Sequence, residues 1–284
     1  MKKFLITTMG LLVMLSCNQK PRSVSSDNAD DDDDDDRVEL KLKDYQFTDT
    51  VGMAHSTIII EYPVKGEKEL VNAIRQYIAE WVGLESDEVE LDDGQGVTDY
   101  FGNGTMERLK EIAAGYEEEE DDYVNEVYHD WSFSKLYETD DYVTFMGYTE
   151  LYEGGIHGIS YENGVTFFDG GQRFSKEMLR NIDGEKFQKL MRKGLKDFFS
   201  KNPDNMTDEE LGEELINVED VYNIPMPDAE PYITEDGVTF IYQPYEMSYY
   251  AAGKPEFSVP LTKMRPFLTK KALRLLDMDE EDED

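Results

Sequence analysis

The chain has 284 residues, with 64 acidic side chains against 28 Lys and Arg and a formal net charge of −36. That balance excludes nucleic acid as a charge-held partner and disfavours an anionic membrane face, since both require a basic surface. Hydrophobic residues at 39% and aromatics at 12% argue against whole-chain disorder, and a single cysteine rules out an intrachain disulfide.

Lys2 and Lys3 precede an apolar run, Phe4 to Leu15, that is too short to span a bilayer. Ser16 and then the lone Cys17 complete a segment that resembles a bacterial lipoprotein signal. Residues 1–16 are then the signal peptide and Cys17 the lipidated first residue of the mature chain. Met14 and Leu15 depart from that family's pattern, and the alternative is an ordinary secretory signal with Cys17 an incidental thiol. Residues 17–36 read as the lipidated Cys and an acidic tether ending in seven consecutive aspartates, Asp30–Asp36. Like charges keep such a run extended, and it lacks the alternating ligands and turn glycine of a calcium loop. These residues place the protein lipid-anchored in a bacterial cell envelope and leave open whether it faces the periplasm or the cell surface. Residues 1–36 carry eight acids and four bases and the tail 277–284 seven acids, which leaves 49 against 24, or −25, on 37–276. The acidity belongs to the folded part and favours cationic partners at long range.

Over 37–123 the pattern predicts an N-terminal α+β subdomain. TIIIEYPV (57–64) reads as a buried strand, and 67–82 as a helix with Leu70, Ile74, Tyr77, Ile78 and Trp81 on one face. Residues 85–104 read as loop, Met106–Ala114 as a second helix and Glu117–Asp122 as a solvated turn. Period-two alternation from Val124 to Phe168 predicts an antiparallel meander, with Asn163-Gly164 as a tight hairpin turn. A helix over 183–199, a short one near 207–216, strands over 232–243 turning at Asp236-Gly237, a closing strand at 257–260 and two short helices follow. ENGVTF (162–167) and EDGVTF (235–240) look repeated, and shared turn chemistry explains them without duplication. The fold class expected is α+β, an antiparallel sheet packed with helices.

Two ordered motifs mark 124–276. The first is Tyr152, Gly154, Gly155, His157 and Gly158; the second is Pro244, Tyr245, Glu246, Tyr250 and Gly253. With their surroundings, over about 125–270, they resemble the extracytoplasmic domain of RsiV-type anti-sigma factors, also found in envelope lipoproteins and beside polysaccharide deacetylase domains. Ile156 stands where that family favours Ala. The resemblance implies an α+β fold, and some members recognise lysozyme and use it as a signal. This chain offers no membrane-spanning run and no sigma-binding segment, so only the binding role carries over as an expectation.

Three glycines around His157 permit a bulge that aims the ring outward at a ligand, or a structural bulge with the ring bonded into the sheet. Tyr242, Tyr245, Tyr249 and Tyr250 suit protein or sugar contacts, or core packing. Thr166-Phe167-Phe168-Asp169-Gly170 falls short of the deacetylase Thr-Phe-Asp-Asp-Gly box, because Phe168 replaces the first aspartate. His55, His129 and His157 are too scattered for a zinc site, so no catalytic residue, metal or cofactor is expected. The expected function is a non-catalytic envelope lipoprotein that binds a cationic, lysozyme-like protein or a peptidoglycan component. The ligand candidates are Tyr152, Gly154, Gly155, His157, Gly158, Pro244, Tyr245, Glu246, Tyr249 and Tyr250. The alternatives are a carboxylate-based cell-wall hydrolase and a structural or assembly lipoprotein.

Overall fold

Alternating apolar residues build the larger of two sheets. The computed structural model describes residues 38–84, 89–119 and 124–278, so the signal, Cys17, the tether and most of the acidic tail lie outside it. Strands β1 (Lys41–Val51) and β2 (Ala54–Lys65) form an antiparallel hairpin. Helices α1 (Lys68–Val82) and α2 (Gly94–Glu119) then cross over to β3 (Val127–Glu138), which pairs with β2 in parallel. Such a pairing cannot be closed by a tight turn, and the helices supply the required connection. Strands β4 (Tyr142–Tyr152) and β5 (Ile159–Phe168) add antiparallel neighbours, giving the order β1-β2-β3-β4-β5.

One face of this sheet carries Ile58, Ile60, Phe133, Phe145 and Phe167, packed against Leu70, Ile74 and Ile78 of α1. Phe133 and Phe145 stack with centroids 4.8 Å apart, and each buried side chain of this size contributes roughly 1.5–3 kcal/mol. Successive residues of a strand point to opposite faces, so Thr144 and Thr166 face away from this core. There they meet a second layer formed by α3 (Glu185–Phe199), α4 (Asp208–Glu214) and the sheet β6 (Tyr232–Thr234), β7 (Gly237–Ile241) and β8 (Glu256–Val259). Helix α4 starts at a reciprocal cap between Thr207 and Glu210. Helices α5 (Leu261–Met264) and α6 (Lys270–Leu275) close this layer, whose core includes Phe187, Leu195, Phe240 and Leu268. The chain is α+β.

Several expectations need correction. The sheet is mixed, because β2 and β3 run parallel. Residues 41–51, for which the pattern predicts no element, form strand β1, and residues 94–104 are helical, as are Glu117–Glu119. The chain before and after residues 123/124 contributes to one sheet, with β2 on one side of that point and β3 on the other. Asn163-Gly164 is no turn: the two residues pair with Gly147 and Met146 in the middle of β5. Shared turn chemistry therefore does not explain the two GVTF stretches, since only the second follows a turn, with Thr234 paired to Gly237.

Gly164 is demanded by packing, because a Cβ there would lie 2.2 Å from the ring of Tyr232. Gly164→Ala is expected to destabilise the fold by about 1–3 kcal/mol through overpacking. Gly115→Ala, in open space on α2, is expected to stabilise it by up to about 1 kcal/mol. Denaturant unfolding of the two variants checks both signs.

Candidate functional site

The link between β4 and β5 folds tightly because two glycines accept what other residues resist. Gly154 and Gly155 have φ values of 101° and 99°. A Cβ at Gly154 would also collide with the hydroxyl of Tyr116, which donates to Glu153 O at 2.8 Å and pins the loop to α2. Tyr152 donates to Gly155 O at 2.9 Å. Held at both ends, the loop presents Ile156 fully exposed and His157 beside it.

A second loop, 243–253, meets the first. Its shape is fixed from within: the Glu246 carboxylate accepts the backbone N–H of Gln243 at 2.7 Å and of Asp228 at 2.6 Å. Asn217 donates to the carbonyls of Tyr245 and Glu246, each at 3.2 Å, and Ser248 to Gly253 O at 2.8 Å. Tyr245 takes the left-handed φ of 65°, a conformation that only a well-determined surrounding sustains in a bulky residue.

Residues 88 to 93 apart in sequence then come together. The His157 ring stacks on Tyr250 with centroids 3.8 Å apart, and Tyr245 stacks on the same ring at 5.8 Å. Tyr250 donates to Gly158 O at 3.0 Å, and the Tyr245 hydroxyl lies 3.2 Å from His157 Nε2. His157 Nδ1 sits 2.8 Å from Gly158 O, which can only accept, so Nδ1 carries the proton and Nε2 accepts from Tyr245. Tyr152, Gly154, Gly155, His157, Gly158, Tyr245 and Tyr250 thus form one cluster. Tyr249 is exposed beside it, outside the stack, and Pro244 leads into the loop. Glu246 turns inward to the backbone, and burial pushes its carboxyl up despite the two N–H bonds that pull it down. Tyr242 is fully buried and donates to Pro225 O, so it belongs to the core.

A second set of residues had no sequence signal. The C-terminal end of α1, the first half of α2 and the far end of β3, β4 and β5 surround a cleft of about 1130 Å³ that includes Trp81, Phe101, Arg108, His129 and Trp131. They come from two helices and a strand well apart in sequence, and no motif in the chain announces the set. Arg108 forms an ion pair with Glu153, and its other terminal nitrogen lies 3.3 Å from His129 Nδ1. Burial, helped by this guanidinium, lowers the His129 pKa from 6.5 to about 4, so the ring is neutral at physiological pH.

The model of a family described as "Protein of unknown function (DUF3298)" matches residues 175–262. The whole fold is similar to the crystal structure of a DUF3298 family member from Bacteroides fragilis. Its TM-score is 0.65 at 18% identity, over 85% of this chain and 98% of that one. A DUF3298 family protein from Pseudomonas aeruginosa follows at TM-score 0.52 and 14% identity, over 84% and 97%. At such identities the likeness is one of fold. No curated protein matches the chain.

Glu246→Ala is expected to cost about 1–3 kcal/mol by leaving two backbone donors without their acceptor, with Glu246→Gln milder. Chemical denaturation measures both. His129 binds fewer protons folded than unfolded, so its contribution is complete above pH 6.5 and is lost as pH falls toward about 4. The stability difference between wild type and His129→Gln is expected to shrink across that window by at most about 3 kcal/mol, read from unfolding curves at several pH values.

Proposed function

We propose that the chain is a non-catalytic envelope lipoprotein, anchored through Cys17, whose Tyr245–Tyr250–His157 cluster binds a cationic, lysozyme-like protein. The reading rests on one observation: two motifs that resemble the RsiV-type extracytoplasmic domain, far apart in sequence, meet in a stack with a 3.8 Å ring separation. Interlocked rings and internally bonded loops are pre-organised, so little conformational entropy is lost on binding. Tyr245, Tyr249, Tyr250 and Ile156 are exposed and supply the aromatic and apolar area typical of contact hot spots. The charge of −25 on 37–276 would steer a basic partner inward without itself supplying much affinity. A wall-modifying hydrolase has no comparable support, since nothing in the geometry singles out a carboxylate pair among so many acids.

Calorimetry of the full chain with lysozyme tests the reading. Binding should weaken as salt rises, and Tyr250→Ala should lower affinity by about tenfold or more while the unfolding midpoint holds. No heat at low salt, or turnover of peptidoglycan by the chain itself, overturns it. For the anchor, metabolic labelling with a fatty acid should mark the wild-type chain and not Cys17→Ala.

A further inference from the structure

The cleft over β3, β4 and β5 shares no residue with the tyrosine–histidine cluster, and its chemistry points to a different ligand. At about 1130 Å³ it exceeds the roughly 300–1,000 Å³ of sites for single small molecules, so it has room for an oligomer. Its walls are aromatic. Trp81 stacks on Trp131 at 6.1 Å, Phe101 meets Trp131 edge-on at 5.4 Å, and Trp81 remains 37% exposed.

Three of its polar side chains, Trp131, Thr149 and Asn163, are neutral. Trp131 is 2% exposed, and its indole N–H is buried with no hydrogen bond among the described residues. Thr149, 6% exposed, and Asn163 also line the cleft and offer it a hydroxyl and an amide. An acyl chain would leave all three groups unsatisfied, at a cost for each buried one. An anion would find one cation, Arg108, already paired with Glu153 and facing His129, within a strongly acidic domain. The two carboxylates at the cleft, Glu107 and Asp228, are solvent-exposed. What remains is a neutral ligand with apolar ring faces to lie on indole and phenyl groups and with hydroxyls to meet N–H, hydroxyl and amide.

We infer that this cleft binds a neutral oligosaccharide, stacked on Trp81 and Phe101 and hydrogen-bonded by Trp131, Thr149 and Asn163. The chain contains two tryptophans and both line the cleft, so their fluorescence reports on it directly. The full chain is titrated with neutral tetrasaccharides of glucose, mannose and N-acetylglucosamine, and with tetragalacturonate and dodecanoate as charged and acyl controls. The expected result is a saturable emission shift with at least one neutral tetrasaccharide and with neither control. Trp81→Ala and Thr149→Val should each weaken that response by about tenfold. Tyr250→Ala should leave it unchanged, which separates this site from the protein-binding surface. Silence with every neutral tetrasaccharide at millimolar concentration overturns the inference. So does tighter binding of either control, or a shift that both cleft variants leave intact.

Discussion

An open strand edge has to be covered, and the way this protein covers β5 organises much of what surrounds it. Gln243 places its side-chain amide against the backbone of Glu162, donating to the carbonyl at 2.7 Å and accepting the N–H at 3.2 Å. The amide stands in for the next strand's peptide group and closes the edge at that point. Eleven positions later Lys254 bonds Glu162 Oε1 at 2.5 Å and Ser160 at 3.3 Å. With both its ends tied to the start of β5, loop 243–253 has little choice but to lie against the β4–β5 link. The stacking of His157 on Tyr250 is a consequence of that double attachment.

The inner face of β5 is held with equal economy. Thr144 and Thr166 share a hydrogen bond of 2.7 Å and between them bind both polar groups of the Ile233 backbone. Gly164 yields the space for Tyr232, whose hydroxyl reaches Glu256 at 2.8 Å. Two buried hydroxyls and one missing side chain thus set the distance between the sheets. Satisfied polar contacts of this kind specify one packing where an apolar face alone would accept several.

What could be read from the chain follows the same physics. Helices α1 and α3 were legible because each has one apolar stripe at helical spacing, which burial in a single core enforces. The first half of α2 was not, because its glycines argue locally for loop. Yet the ring of Phe47 fills the space a side chain at Gly102 would need, and Tyr45 does the same at Gly94. Tertiary packing overrides a propensity cost of about 1 kcal/mol per residue. Gly164 misled for the same reason, since a glycine required by a neighbouring ring looks identical to one required by a turn. Strand β1 leaves little signal in the chain because its side chains Tyr45 and Phe47 are only partly buried at an edge, which blunts the alternation. Of the ligand candidates, the two glycine- and tyrosine-marked loops stood out in the chain, while their meeting depended on Gln243 and Lys254, which carry no motif. The cleft left no trace because its residues are scattered over α1, α2, three strands and the loops at 228–229 and 243.

The two surfaces are nevertheless built on one anchor. Gln243 lines the cleft while its amide locks the loop that bears Tyr245 and Tyr250. Asp228 also lines the cleft, and its N–H is one of the two that shape the loop through Glu246. A substitution at Gln243 therefore frees the β5 edge, loosens the aromatic stack and alters the cleft wall together, so its effect on any ligand says nothing about which surface that ligand uses. Thr149 and Tyr250 touch one surface each. Separation of the two proposed binding roles has to be sought at such positions, where the fold leaves the neighbouring surface unchanged.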